Sequence, residues 1–170
     1  MKQEFIVLKT LIEATGHMDL KGFADKVNLS PNQALHQIQE LAKDGFLQRV
    51  GAGYGVTQKG KAALKAFKPV AKDNGFRFYY GLDNSSDHAA ESLAQFYSAI
   101  KQVRVDSLEF HLYRSDFQNW LRDVCKEADA ADEFDRVAVS GLKGEALRAE
   151  LTKVLDTKYG VSELISVFSG

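Results

Sequence analysis

The stretch SPNQALHQIQELAKDGFLQRVGAGYGVTQKG, residues 30–60, decides the fold. It opens on a strong helix-start signal, because Ser30 can accept a hydrogen bond from the amide of Gln33 while the Gln33 side chain reaches back. Pro31 suits the first helical position, and Gly45 is placed to supply a left-handed exit. The pattern predicts one helix whose inward face consists of Ala34, Leu35, Ile38, Leu41 and Ala42.

A β-hairpin pattern follows this helix. Residues 46–50 read as a strand, the glycine-rich segment 51–55 as a flexible tip, and residues 56–57 as the return. Another helix opens directly after the hairpin and ends near Phe67, before Pro69. We therefore expect a hairpin with a helix on either side of it.

The residues before position 30 predict two further helices. Apolar residues recur at helical spacing over residues 4–13, and Gly16 is a suitable stop. Asp19 then caps a short helix over residues 20–27, and residues 28–29 form a turn. Two short helices separated by a tight turn make a helix-turn-helix, and the full order of helices and hairpin is that of a winged helix-turn-helix.

Two segments carry a more specific resemblance. LAKDGFL at residues 41–47 and VTQKG at residues 56–60 resemble the MarR-like and related winged-helix regulators. In those families, L-x-x-x-G-[FL]-[LIV] closes the recognition helix and [LV]-T-x-x-G opens the next helix. The resemblance covers residues 4–67 and implies a DNA-binding domain over residues 1–68. The polar residues 69–75 are expected to form a linker.

In a helix-turn-helix, the second helix enters the major groove and its early exposed side chains meet base edges. Asparagine and glutamine suit adenine and histidine suits guanine or phosphate, but this helix lacks arginine, so we expect modest sequence specificity. The hairpin and its flanks suit phosphates. The candidate DNA contacts are Asn32, Gln33, His36 and Gln37, with Gln39 as a further candidate, and Arg49, Tyr54, Gln58, Lys59 and Lys61 around the hairpin. The alternative is a merely solvated face beside an ordinary hairpin.

Charge is distributed unevenly along the chain. Residues 1–72 hold eleven lysines and arginines against six acids, a net charge of +5, whereas the remainder has eleven against seventeen, a net charge of −6. A basic segment joined to an acidic one favours a nucleic-acid-binding module with a separate assembly or sensing domain. The same distribution is also compatible with an ordinary solubility pattern.

The rest of the chain, residues 76–170, predicts a mostly helical domain for dimerisation or sensing. Residues 76–80 alternate as one short strand near its start, and helical apolar spacing follows. The expected fold class of the whole chain is therefore α+β and mainly α. The long helix at 143–159 is the candidate seam of a homodimer, because helix-turn-helix proteins match two half-sites.

Three motifs in this segment resemble a domain family of unknown function. They are F-x-F-x-x-G at residues 76–81, S-[IL]-x-[FY]-H at 107–111 and D-F-x-x-W at 116–120, and the resemblance extends over residues 76–160. Those relatives often have an insertion between the histidine and the Asp-Phe pair, where this chain has only four residues. The resemblance names a relative and implies no activity.

One pair of side chains in this segment is a candidate ligand site. A histidine oriented by a carboxylate, as His111 and Asp116 could be, is a common acid–base or ligand-binding unit. The competing interpretation is structural: a histidine of one helix is bonded to the cap of the next. The sequence leaves both open and favours the structural one.

Several classes of function lack support in the sequence. No dinucleotide or phosphate-binding glycine loop is present, and the single cysteine, Cys125, can form neither an internal disulfide nor a cysteine zinc site. The acids of residues 127–135 lack the order of a calcium loop. We therefore expect no metal, no cofactor and no enzymatic activity. With neither a membrane-spanning apolar run nor a leader pattern at residues 1–4, we expect a cytoplasmic, nucleoid-associated protein.

The sequence thus leads to a first hypothesis and its rivals. The first is a homodimeric transcriptional regulator or chromosome-associated protein that binds double-stranded DNA, with any small-molecule or protein effector unknown. The second is a protein-interaction adaptor in which the winged helix is structural. A third, remote one is an enzyme that uses His111.

Overall fold

The computed structural model describes residues 3–13 and 19–168; the chain is α+β and mainly helical, with two small antiparallel sheets. It divides into two units. Unit 1 takes in the described residues of Met1–Lys65 and Ser162–Gly170, and unit 2 is Ala66–Val161. The segment from Ser162, predicted within the second domain, therefore belongs to unit 1. No helix in the described ranges is long and apolar enough to cross a membrane.

Unit 1 holds, wholly or in large part, five helices and one hairpin. The predicted helix stop Gly16 lies outside the described residues. The elements are α1 (Gln3–Glu13), α2 (Leu20–Lys26), α3 (Pro31–Lys43), β1 (Leu47–Val50), β2 (Gly53–Val56), α4 (Gln58–Phe67) and α10 (Val161–Phe168).

The helix caps of unit 1 form as predicted. The Asp19 carboxylate accepts from the amide of Gly22 at 2.7 Å at the start of α2. At the start of α3, the Ser30 hydroxyl accepts from the amide of Gln33 at 3.2 Å, and the Gln33 side chain accepts from the amide of Ser30 at 3.0 Å. Gly45, with φ of 83°, provides the left-handed exit. Short local signals therefore fix both ends of α3.

The hairpin is joined to its flanking helices by the Thr57 and Gly60 pair of the T-x-x-G pattern. The Thr57 hydroxyl donates to the carbonyl of Gly45 at 2.6 Å and accepts from the amide of Gly60 at 3.1 Å. A Cβ on Gly60 would lie only 2.4 Å from the carbonyl oxygen of Phe46. Position 60 therefore requires glycine, because α4 approaches the backbone of Phe46, the residue before β1, at this point.

The core of unit 1 includes a helix that the sequence did not predict. Phe168 of α10 packs edge-on against Phe5 and Phe46, with ring centroids 6.2 and 5.1 Å apart. The prediction that Leu35 points inward is wrong, since 37% of this residue is exposed. Leu35 lies about 100° around α3 from the buried Ala34, beyond the edge of the apolar stripe.

Unit 2 contains a second hairpin and five α-helices. Its α9 helix packs against three others, α5, α6 and α8. The elements are a 3₁₀ turn (Lys72–Asn74), β3 (Phe76–Gly81), β4 (Asn84–Ala90), α5 (Leu93–Gln102), α6 (Val105–Tyr113), α7 (Asp116–Asn119), a π-helical turn (Trp120–Val124), α8 (Ala128–Ser140) and α9 (Gly144–Tyr159).

The expectation of one short strand in this region is wrong, because β4 pairs antiparallel with β3. Phe76 lies opposite Ala90, and Arg77 lies opposite Ala89. The sequence of β4, NSSDHAA, is poor in β-branched and aromatic residues, so neither strand propensity nor alternation reveals it. Pairing with β3 is what makes this segment a strand.

The segment predicted as a linker, residues 69–75, is hydrogen-bonded within unit 2. The indole of Trp120 donates to the carbonyl of Asn74 at 2.8 Å, and the amide of Val70 donates to the carbonyl of Glu91 at 2.8 Å. This polar stretch is therefore structured and not an open connection.

The helix predicted as a dimer seam uses its apolar face inside unit 2. Helix α9 closely matches the predicted range of 143–159. Its main apolar stripe is covered by neighbouring helices of unit 2. The buried residues are Leu147, Leu151, Leu155 and Tyr159.

Candidate nucleic-acid interface

One face of α3 is exposed along its length. Asn32 and His36, both predicted to read bases, are exposed and have no hydrogen-bond partner within residues 3–13 and 19–168. Positions 32, 36, 39 and 43 recur at intervals of four, three and four residues, which places them on one side of a helix. We call this surface the α3 face, and it consists of Asn32, Leu35, His36, Gln39 and Lys43.

The other two predicted base readers are placed differently. The side-chain oxygen of Gln33 already accepts a hydrogen bond from the amide of Ser30, which holds this side chain against the start of α3. Gln37 is half-buried, and its side-chain oxygen is enclosed without a hydrogen-bond partner in the described part of the chain. Gln33 acts mainly as a cap, and Gln37 lies at the margin of the face.

Two predicted contacts lie together on the hairpin. Arg49 and Tyr54 are directly opposite each other in the β1–β2 register, and the guanidinium carbon is 5.5 Å from the tyrosine ring centroid. No ion pair joins Arg49 to any other described residue. Next to them, Val50 is 60% exposed near the hairpin tip. Tyr54 therefore orients an arginine whose charge is available to a ligand.

Lys59, a predicted phosphate contact, already has partners within unit 1. Its ammonium donates to the carbonyl of Asp44 at 2.8 Å and to the carboxylate of Glu163 at 2.7 Å. It also lies 4.7 Å from the ring centroid of Phe46. The structure thus gives Lys59 a role in joining the end of α3 to α10. Sequence reasoning missed this because Glu163 is distant in the chain.

The two remaining predicted contacts, Gln58 and Lys61, are exposed in the first turn of α4. Lys61 has no ion pair among the described residues. Sequence reasoning did not include Leu35 and Lys43, although helical periodicity from Asn32 could have identified both. Lys43 is 3.9 Å from Glu40, a loose pair between exposed side chains. Such pairs contribute little and break readily.

The His111–Asp116 pair of unit 2 forms with good geometry. His111 is 3% exposed, and its Nδ1 lies 2.8 Å from the Asp116 carboxylate. The other ring nitrogen, Nε2, accepts from the amide of Tyr79 at 2.8 Å. Since Nε2 accepts, the proton of the neutral ring is assigned to Nδ1, which donates to Asp116. Burial, opposed by Asp116 and assisted by Arg114, lowers the pKa of His111.

Ser107 completes the structural explanation of this motif. Its hydroxyl donates to the carbonyl of Tyr79 at 2.7 Å. Ser107 and His111, one turn apart on α6, therefore bind both backbone groups of one β3 residue. The S-[IL]-x-[FY]-H motif fastens α6 to the strand edge that β4 leaves open. Both nitrogens of His111 are engaged, which favours the structural interpretation over acid–base chemistry.

The acidic stretch of unit 2 is arranged around an arginine. Arg122 donates to Asp132 at 2.9 Å and to Asp135 at 3.1 Å. Across residues 3–13 and 19–168, no group of three histidine, cysteine or acidic side chains is placed to hold a metal ion. The acids of residues 127–135 thus contribute to ion pairing and to a charged surface.

No protein-family model matches the chain, and neither a curated protein nor a solved structure is detectably similar to it. The resemblances to winged-helix regulators and to a domain of unknown function therefore rest on the sequence motifs alone. The arguments for function below come from the geometry of the chain itself.

Proposed function

We propose that the chain binds duplex DNA, and that unit 1 is a winged helix-turn-helix that presents α3 to the major groove. The observation that carries the proposal is the α3 face: an exposed helix surface on which Asn32 and His36 have no hydrogen-bond partner in the described chain, on a helix fixed at both ends. The element order, three helices followed by the β1–β2 hairpin and α4, supports it. So does Asn28, whose φ of 55° makes the tight turn between α2 and α3.

The chemistry of the α3 face suits base edges. The carboxamide of Asn32 can pair with adenine, and the imidazole of His36 can donate to guanine or to phosphate. Leu35 adds an apolar side chain beside them, which suits the methyl group of thymine. A face with these three groups and no arginine favours sites rich in A·T pairs, with modest discrimination.

The cations around this face suit the phosphate backbone. Arg49 is held by Tyr54 on the hairpin, Lys61 opens α4, and Lys43 lies at the far end of α3. Each phosphate that the protein neutralises releases counterions. This steepens the slope of the logarithm of the binding constant against the logarithm of the salt concentration by about 0.9. Lys59 acts indirectly, because it holds the end of α3. The net charge of +5 over residues 1–72 adds long-range attraction.

Binding of a labelled random-sequence duplex by the full chain, followed by fluorescence anisotropy at low and physiological salt, tests the proposal. We expect binding that weakens with salt, and a further loss when Arg49→Gln is combined with Lys61→Gln. The matched control combines Arg136→Gln with Lys153→Gln, which removes two equally exposed cations from unit 2. The control should bind like the original chain.

The result also separates the rival hypotheses. Absence of binding at low salt would reject the proposal and favour the adaptor, for which Val50 and Leu35 would be exposed apolar contacts. Selectivity among duplexes would favour a regulator, and binding without selectivity a chromosome-associated role. Homodimerisation stays a prediction, and light scattering of the full chain measures it directly.

A further inference from the structure

We propose a second binding site, in unit 2, for a small organic carboxylate that carries an apolar group. A pocket of about 280 Å³ opens beside the β3–β4 turn, and its volume suits a small ligand. Its wall combines apolar and cationic side chains around the His111–Asp116 pair. The residues that define it are Arg77, Leu82, Phe110, Arg114 and Asp116.

The charge balance of the pocket favours an anion. Asp116, the one carboxylate in the wall, already accepts from His111 at 2.8 Å and from Arg114 at 3.3 Å. Arg77 projects from the exposed side of β3 and forms no ion pair with another described residue. The lining thus includes two arginines and one carboxylate that already has partners. This local excess of positive charge lies in a unit whose thirteen lysines and arginines are outnumbered by sixteen acids.

The remaining wall suits an apolar group beside the carboxylate. Leu82, at the β3–β4 turn, is 76% exposed, the largest exposed fraction among apolar residues near the pocket. The guanidinium carbon of Arg114 lies 4.6 Å from the ring centroid of Phe110. This contact orients the guanidinium group. A ligand can therefore place its carboxylate on Arg77 and its apolar part against Leu82 and Phe110.

A chain of hydrogen bonds connects the wall of the pocket to β3. Asp116 holds His111, and His111 accepts from the amide of Tyr79, which itself lines the pocket. A ligand that perturbs Asp116 should therefore change the environment of the Tyr79 amide. That amide is a specific reporter of occupancy. The inference does not depend on DNA binding by unit 1.

The test is a titration of the ¹⁵N-labelled full chain with benzoate, followed by NMR. Benzyl alcohol is the control without charge, and acetate is the control without the apolar group. We expect benzoate alone to give saturable shifts of the Tyr79, Gly81 and Leu82 amides. Arg77→Gln should weaken this binding at least about tenfold, the loss of one charged hydrogen bond.

Two further variants keep the result interpretable. Arg136→Gln removes an exposed arginine elsewhere in unit 2 and should leave the binding constant unchanged. Leu82→Ser, at a residue with little packing to lose, should weaken benzoate binding without unfolding the chain. No saturable shift with benzoate, an equal response to benzyl alcohol, or full binding by the folded Arg77→Gln chain would overturn the inference.

Discussion

Asn32 and His36 on α3 of unit 1 are exposed and lack partners in the described chain, whereas Ser107 and His111 on α6 of unit 2 are buried and bonded to Tyr79. Each pair lies four residues apart on one helix face, and each includes a histidine. The motif in unit 2 is the more conspicuous of the two in sequence, but its side chains hydrogen-bond the backbone of β3.

This contrast shows how to separate structural from functional polar residues. Most buried polar side chains are hydrogen-bonded, and in unit 2 the backbone of Tyr79 in β3 supplies a donor and an acceptor that α6 satisfies. An exposed polar face without such partners is available to another molecule. The His111 motif is therefore a feature of stability, and the α3 face is a candidate for recognition.

The largest effect expected from this contrast is on stability. His111→Ala removes the acceptor of the Tyr79 amide and leaves a cavity, so unit 2 should lose about 3 kcal/mol of unfolding free energy. Trp120, the only tryptophan, lies in unit 2, so its fluorescence during urea unfolding reports this change. His36→Ala is the matched control and should change stability by less than about 0.5 kcal/mol. An equal loss of unfolding free energy in His111→Ala and His36→Ala would contradict the contrast between the two histidines.

A second stability effect should be confined to unit 1. In Gly60→Ala the new Cβ would meet the Phe46 carbonyl oxygen at 2.4 Å, so unit 1 should lose about 2 kcal/mol. Gly53→Ala, whose nearest contact is 3.9 Å away, is the control. Hydrogen exchange followed by NMR measures the two units separately. Faster hydrogen exchange throughout unit 2 in Gly60→Ala would contradict the prediction that the loss of stability is confined to unit 1.

The pH dependence of unit 2 sharpens the comparison further. Because the pKa of His111 lies below its ordinary value of 6.5 in the folded chain, the unfolded chain binds protons more readily below that pH. The stability that neutral His111 contributes is fully present above pH 6.5 and declines as the pH falls. The slope should not exceed about 1.4 kcal/mol per pH unit. Urea unfolding of the original chain and of His111→Gln across this pH range measures this contribution. The part of the pH dependence that comes from His111 should be absent in the variant.

The smallest effect concerns recognition by Leu35, and it depends on the proposed DNA binding. Replacing thymine by deoxyuridine removes only the methyl group, so binding to an A·T-rich duplex should weaken about threefold. In Leu35→Ala this difference should disappear, because the apolar partner is gone. If both chains respond equally to deoxyuridine, another residue contacts the methyl groups.

Prediction from sequence succeeded where signals are local. The caps at Asp19 and Ser30 and the left-handed exit at Gly45 each depend on contacts within a few residues, and all three form. It was wrong about β4, whose polar residues become a strand only through pairing with β3. It also missed α10, which belongs to unit 1 through aromatic contacts with Phe5 and Phe46.

The same limit applies to the candidate site. Asn32 and His36 were predicted to be exposed, and they are. The ion pair between Lys59 and Glu163 depends on two segments that are far apart in sequence. The enclosure of Gln37 depends on the width of the buried stripe of α3, and the prediction for Leu35 was wrong for the same reason. Local pattern thus locates α3 and its ends, but only the packed structure shows which of its side chains are exposed and without partners in the described chain.

The most direct measurement of the central claim is an NMR titration of the ¹⁵N-labelled full chain with an unlabelled random-sequence duplex at low salt. We expect the amide shifts to concentrate on α3 and on the β1–β2 hairpin, while those of α6 and β3 stay in place. Shifts concentrated in unit 2, or no shifts at any duplex concentration, would contradict the account.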